Sequence, residues 1–293
     1  MHKDPKSVLI FGSTGMLGKS LYLESKKRGF ETIGASRNGQ DASIDLRNKN
    51  DIGDLIFKHK PETVINSAAL VSHSLCDENP LLANAINAEA VGAMATACNK
   101  IKARLLQIST DNYYTGDAAQ QHDEKHSITL LSEYAKTKYS GEIFALTCHN
   151  SLVIRTNVTG FRSGNTTLSF IEWVIKSLES GKPFKLFNDY YTSTITSSQL
   201  ASITFDILNH NIIGCLNIAC REVTSKLKFV EAFAIEVGLS IAAAESISVH
   251  SILSGRAESV GLDVTKAENL LEYQLPNLNQ VIKQLVLDYK RTS

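Results

Sequence analysis

Proline and cysteine are both scarce in this chain, with 5 of each among 293 residues. The cysteines (Cys76, Cys98, Cys148, Cys215 and Cys220) are odd in number and scattered, and no CxxC occurs. A disulfide framework or a zinc ribbon is therefore not expected, and a reducing compartment such as the cytoplasm is. His73 and Cys76 form at most half of a metal site, and no second pair accompanies them, so no metal is expected. Neither sign of charge dominates: 30 basic and 30 acidic residues give a formal net charge of +0, without any run of like charges. Nucleic acid and acidic membrane surfaces are thus not the expected partners. The N-terminal stretch MHKDPKSVLIFGSTG lacks the apolar segment of roughly 7–15 residues that a signal peptide carries. No run approaches ~18 uninterrupted apolar residues, so no membrane span is expected.

What is present is a 43% hydrophobic composition, enough for one large or two modest domains. Short apolar runs alternate with longer amphipathic ones. SVLIFG (7–12), FETIGAS (30–36), ETVINSAA (62–69), RLLQIST (104–110) and SLVIRTN (151–157) read as strands. MLGKSLYLESKKRG (16–29), KNDIGDLIFKHK (49–60), PLLANAINAEAVGAMATACNK (80–100) and SEYAKTKYSGEIFALTCH (132–149) read as helices between them. Strands separated by helical crossovers predict an α/β fold with a doubly wound parallel sheet, a Rossmann domain. Later, TTLSFIEWVIKSLESGK (166–182) and SKLKFVEAFAIEVGLS (225–240) read as amphipathic helices closed by Gly181 and Gly238. SQLASITFDILNH and GCLNIAC read as a helix and strand rejoining the main sheet. The expected division is a dinucleotide-binding domain over 1–160, completed by about 192–220, and a smaller substrate-binding lobe over 161–191 and 221–293. A cleft between the lobes is the expected substrate site.

An open parallel sheet binds ligands beyond the carboxyl ends of its strands. There the turn GSTGMLG places glycines at 12, 15 and 18, directly between a strand and a helix. Glycine permits a tight turn and close approach to a pyrophosphate, which the helix N-terminus holds through free N–H groups. Gly12, Ser13, Thr14, Gly15, Met16 and Leu17 are the candidate cradle. The second strand ends in Ser36 and Arg37 without an acid. A hydroxyl and a guanidinium suit a 2′-phosphate, so NADP is favoured, while NAD stays open because Arg37 reads equally as a solvated loop cation.

The GxxGxxG spacing resembles that of the extended short-chain dehydrogenase/reductase superfamily. The resemblance implies that Asp45 and Leu46 border the adenine, and that Ser67, Ala68 and Ala69 of NSAAL let the dinucleotide lie against the sheet. Thr110 precedes Tyr134 by 24 positions, and Lys138 follows four later; the superfamily carries a Ser or Thr, a Tyr and a Lys in that order. Reducing a ketone builds negative charge on its oxygen, which a tyrosine can protonate if a nearby ammonium lowers its pKa. Tyr134 is the expected proton donor, Lys138 its activator and ribose contact, and Thr110 a second hydrogen bond to the keto oxygen. Lys136 and Tyr139 are expected on the outer helix surface, and Tyr113 and Tyr114 in packing roles.

Along almost the whole chain the sequence is similar to dTDP-4-dehydrorhamnose reductases and related nucleotide-sugar reductases. GSTGMLG, ENPLLANAINAEAVG, ISTDNYYTGD, YAKTKYSGE and VIRTNVTG fall in the family's order, and FKLFNDYYTSTITSSQLA and RAESVGLDVTKAENLL resemble its later segments. The resemblance implies NADPH-dependent reduction of the 4-keto group of a nucleotide-linked 6-deoxysugar, for cell-surface polysaccharide synthesis. By analogy Asp111, Asn157 and Arg256 contact the sugar nucleotide. Ala257 stands where proline is usual, and NDYYTSTI lacks the family's Gln and Pro, which leaves the sugar and base open. Some relatives dimerise through magnesium bound at a glutamate; the matching residue is Ser20, so a homodimer, if formed, is expected without that metal. A nucleotide-sugar epimerase or dehydratase is an alternative, although a dehydratase wants an acid pair and only Asp111 is available. A non-catalytic NADP-binding regulatory subunit is the other, against which the Thr110, Tyr134 and Lys138 set argues.

Overall fold

Runs of Val, Ile and Leu become strands buried on both faces, and the amphipathic stretches become the helices that cover them. The structure, a computed structural model, describes residues 6–162, 167–252 and 257–292. In chain order its first six strands are β1 (Ser7–Phe11), β2 (Glu31–Ser36), β3 (Ala42–Ser43), β4 (Thr63–Asn66), β5 (Arg104–Ile108) and β6 (Ser151–Arg155). The accompanying helices are α1 (Met16–Lys27), α2 (Lys49–His59), α3 (His73–Glu78), α4 (Pro80–Asn84), α5 (Ala90–Ile101) and α6 (Glu133–Ala145). The strand Gly214–Asn217 joins β6 at one edge, and the seven-stranded order continues β5, β4, β1, β2, β3. All pairs from β6 to β3 are parallel.

Register puts like beside like. Ile10 pairs with Ile65, Ile65 with Leu106 and Leu106 with Leu152, and all four are fully buried. Leu9, Val64 and Leu105 line the other face, where Ile52 and Ile56 of α2 and Val91 and Met94 of α5 cover them. Each such side chain contributes about 1.5–3 kcal/mol by leaving water. The chain runs from β1 outward to β3, then crosses to β4 on the other flank of β1. That reversal between β1 and β4 is where a doubly wound sheet opens a crevice at its carboxyl edge.

The helix expected over 80–100 is interrupted. A π turn, Ala85–Glu89, separates α4 from α5. Within it, Asn87 Oδ1 accepts from Leu70 N (2.8 Å) while Nδ2 donates to Leu70 O (3.1 Å) and Thr137 Oγ1 (3.1 Å). An extra residue per turn aims this amide at the chain leaving β4. By length and composition Pro80–Ile101 could cross a membrane, but half of it is buried within the structure.

The chain divides into two compact units. One comprises the residues to Thr110, Ser132–Arg155 and Ala201–Leu216; the other comprises Asp111–Leu131, Thr156–Leu200 and the residues from Asn217 onward. In the second, helices Phe170–Ser180, Lys226–Val237 and Leu278–Thr292 surround a core that includes Val174, Phe229, Phe233, Val281 and Leu285. Ser169 and Glu172 form a capping box at the first of these helices, and Gly181 ends it at φ 62°. Gly238 ends the Lys226 helix in the same left-handed conformation, φ 70°. Strands of two to four residues complete this unit, among them Asn157–Thr159 paired with Thr194–Thr196, and Tyr191–Thr192 between Thr224–Ser225 and Ser259–Val260.

Candidate functional site

Phe11 and Asn66 are register partners, so the turns after β1 and β4 leave the sheet side by side. Gly12 has φ 81°, and a Cβ on it would lie 2.8 Å from Ala68 N. A Cβ on Gly18 would lie 1.9 Å from Gly12 O, and one on Gly15 would lie 3.2 Å from the same oxygen. The glycines therefore let the turn close on itself and on the β4 exit. Gly15 is the N-cap of α1, with no side-chain cap and no acid in the first turn. The first N–H groups of α1 are left to point outward with the positive end of the helix dipole. Ser13 Oγ in this turn is buried without a hydrogen-bond partner. A pyrophosphate fits both features, the open N–H groups and the orphaned hydroxyl.

Of the other residues expected to hold a dinucleotide, Ser36, Ser67 and Ala68 border this turn. Thr14 Oγ1 donates to Ser36 Oγ at 2.9 Å, tying the turn to the end of β2, and Arg37 beyond it is exposed. Asp45 is bonded by Arg47, which holds its carboxyl down to about 2, with a smaller contribution from the charge of Arg37. Its negative charge is thus met by a neighbouring guanidinium. Leu46 is half-buried. Ser67 Oγ donates to Phe11 O at 2.8 Å, and Ala68 and Ala69 follow it half-buried.

Helix α6 begins at Ser132, whose hydroxyl accepts from Ala135 N. Tyr134 and Lys138 lie on its buried face, Lys136 is exposed and Tyr139 is half-exposed. Lys138 Nζ donates to Ile108 O at 2.7 Å, at the last residue of β5. Thr110, two residues further, is buried as well. This bond helps fix the inner face of α6 to the strand end that carries Thr110. Burial pushes the Lys138 ammonium down to about 8, opposed in part by the charge of Glu142. Glu142, one turn on, is itself buried; it accepts from Ser109 Oγ (2.6 Å) and pairs with Arg155 (2.8 Å). The His73 ring lies 4.7 Å from that of Tyr134, tilted by 44°, and Cys76 and Ala83 pack with the same tyrosine. Asn87 braces Thr137 on the same helix, and a Cβ on Gly141 would lie 2.2 Å from Asn87 O.

In the second unit Asp111 is buried, and its Oδ2 accepts from Asn157 Nδ2 at 2.7 Å while Oδ1 accepts from Asn112 Nδ2 at 2.9 Å. Burial pushes its carboxyl up to about 6 against the opposing pull of Asn157 and Lys226. Asn157 Oδ1 accepts from Thr194 Oγ1 at 2.8 Å. Two of the three residues expected to meet a sugar nucleotide are thus bonded to each other. Burial likewise pushes Lys226 down to about 8, and its ammonium sits over Phe170 (4.9 Å) and Tyr190 (5.8 Å). Arg256 lies outside the described residues. Sequence reasoning missed Lys226, Glu142, Arg155, Asn87 and the packing role of His73. Only Glu142 carried a signal, standing four residues after Lys138 on one helix face.

A parallel sheet reversed at β1, a three-glycine turn over a helix N-terminus, and a Tyr–Lys helix seated on a strand end define an extended short-chain dehydrogenase/reductase. Residues 6–291 match the family model described as RmlD substrate binding domain, and the chain belongs to that family. It is 23% identical to the "Probable low-salt glycan biosynthesis reductase Agl14" of Haloferax volcanii, over 94% of this chain and 96% of that protein. It is 27% identical to the spore coat polysaccharide biosynthesis protein SpsK of Bacillus subtilis, over 80% of this chain and 81% of that one. Among solved structures, the dTDP-4-dehydrorhamnose reductase of Bacillus anthracis in complex with NADP superposes with a TM-score of 0.87 at 20% identity, covering 97% of this chain and 99% of that one.

Proposed function

We propose that the protein is an NADPH-dependent reductase of the 4-keto group of a nucleotide-linked 6-deoxysugar, resembling dTDP-4-dehydrorhamnose reductase, that acts in the cytoplasm in polysaccharide synthesis. The observation that carries this reading is the bond from Lys138 to Ile108, which seats the Tyr134 face of α6 at the strand end bearing Thr110. The reduced nicotinamide supplies the hydride. Tyr134 donates its hydroxyl proton to the keto oxygen as negative charge builds there, and Thr110 donates a hydrogen bond to the same oxygen. The Lys138 ammonium stabilises the resulting phenolate and lowers the cost of that transfer. Reprotonation of Tyr134 from solvent completes the turnover, leaving an alcohol where the ketone was.

Gly12 to Leu17 are assigned to the pyrophosphate, Asp45 and Leu46 to the adenine, and Ser67 to Ala69 to the face of the dinucleotide. Ser36 and Arg37 are assigned to a 2′-phosphate, supported by the absence of an acid at the end of β2. Asp111, Asn157 and Arg256 are assigned to the sugar nucleotide. Incubation with NADPH and a panel of nucleotide 4-ketosugars, following loss of the reduced cofactor's absorbance, tests the whole reading. Oxidation with at least one sugar is expected. Tight NADPH binding with no oxidation in any case would replace the enzyme by a regulatory subunit.

A further inference from the structure

Asp117, His122 and His126 turn three donor atoms toward one point, all within 4.8 Å of one another. His122 is fully buried. Its Nδ1 lies 2.7 Å from Gly261 O, a carbonyl that can only accept, so Nδ1 carries the ring hydrogen. Its Nε2 lies 2.9 Å from Asp117 Oδ2. With Nδ1 committed to Gly261, Nε2 is the nitrogen turned toward Asp117, a contact that suits either a hydrogen bond or two ligands of one metal ion.

His126 favours the metal. Its ring centre lies 4.5 Å from that of His122 at 79°, and it brings a second imidazole nitrogen to the same point. A proton shared between Asp117 and His122 would have no use for that nitrogen. The surroundings also match what holds metal ligands in place: the non-ligating N–H of such a histidine usually donates to a carbonyl or carboxylate, as His122 does to Gly261. Tyr114 stacks on the His122 ring at 4.1 Å and 3°, fixing its plane, and Ser259 Oγ donates to Asp117 Oδ1. Half-buried Asp117 and His126 leave an entry path.

We propose that Asp117 Oδ2, His122 Nε2 and a ring nitrogen of His126 bind one divalent transition-metal ion of the zinc class. Two imidazoles and a carboxylate suit Zn²⁺, with water completing a tetrahedral shell. The ion has a structural role: its three ligands all lie in the stretch Asp111–Leu131, so it cross-links that stretch upon itself, while the bonds from Gly116 N to Glu258 Oε1 (2.7 Å) and from His122 N to Gly261 O (3.0 Å) tie the stretch to the segment holding Ser259 and Gly261. No step of the proposed reduction passes through it.

The test uses untagged full-length protein stripped with a chelator and titrated with Co²⁺ and with Zn²⁺. One equivalent is expected to bind, with a Co²⁺ spectrum of nitrogen and oxygen ligands that lacks thiolate charge-transfer bands, and Zn²⁺ is expected to raise the melting temperature. His126→Ala, at a half-exposed position, should fold and lose affinity by more than the roughly 10–100-fold typical of an outer-shell change. His149→Ala, at an exposed histidine, should bind like the wild type. Absence of stoichiometric binding, or equal Co²⁺ affinity in the wild type and His126→Ala, would overturn the site and leave His122 and Asp117 joined by a hydrogen bond alone.

Discussion

Replacing Lys138 by methionine should make the protein more stable and less active. The ammonium is held at about 8 against an ordinary 10.5, chiefly by burial. At about 1.4 kcal/mol per pH unit, that gap works against the folded state by about 3 kcal/mol while the lysine is charged. Methionine fills a similar volume without a charge, but Ile108 O loses its donor, at a cost of about 1 kcal/mol. A net gain of about 2 kcal/mol at pH 7 results, or roughly 3 °C in melting temperature for a chain of 293 residues. The sign with pH is fixed. Below about 8 the ammonium is charged in the folded and unfolded chains alike, so the burial penalty is fully present. Between about 8 and 10.5 the folded chain releases its proton first, the unfolded chain binds more protons, and wild-type stability rises with pH. The advantage of Lys138→Met should therefore shrink by most of its size between pH 7 and about pH 10. Denaturant titrations of both proteins at the two pH values read this directly, and turnover at pH 7 should drop by about 100-fold or more. A variant less stable than wild type at pH 7, or an advantage indifferent to pH, would refute the claim that the lysine is kept charged at the expense of stability.

Tyr134→Phe should lower turnover by about 10²–10⁴-fold and leave NADPH affinity nearly intact in a fluorescence titration; undiminished turnover would remove Tyr134 as proton donor. Arg37→Ala should weaken NADPH by roughly 10–100-fold, the equivalent of a charged hydrogen bond, and leave NADH almost unchanged; equal losses would mean that Arg37 does not meet the 2′-phosphate. Gly141→Ala forces α6 off Asn87 O and should destabilise by about 1–3 kcal/mol, with turnover falling together with stability. Arg155→Met leaves Glu142 buried and uncompensated, for an expected loss of about 3–5 kcal/mol in denaturant unfolding; a change under about 1 kcal/mol would mean that water reaches the pair.

The β1–turn–α1 unit was legible because its signals are local: an apolar run, three glycines and a helical period within some twenty residues. The two faces of α6 were legible for the same reason, since Tyr134 and Lys138 stand four apart while Lys136 and Tyr139 fall on other rows. Gly181 and Gly238 announced their helix ends through left-handed caps. What escaped was non-local. Glu142 and Arg155 meet only because β6 returns beneath α6, and His122 finds Gly261 across 139 positions. Strands of two to four residues have no period to detect, and a π turn leaves composition untouched, so Asn87 passed for one more residue of an alanine-rich helix. Where the chain meets itself at long range, only the fold reveals the partner.

That π turn has a consequence for how the protein tolerates change. One residue more than the regular count rotates α4 by about 100° relative to α5, so Asn87 can address Leu70 and Thr137 while Val91, Met94, Ala95 and Cys98 keep their stripe against the sheet. Point substitutions inside Ala85–Glu89 leave this phase offset alone; a single-residue deletion there cancels it. The segment is therefore sensitive to length before it is sensitive to identity. An alignment that slips one residue here would exchange the strand-end brace for a core position, although every neighbouring side chain still looked conservative.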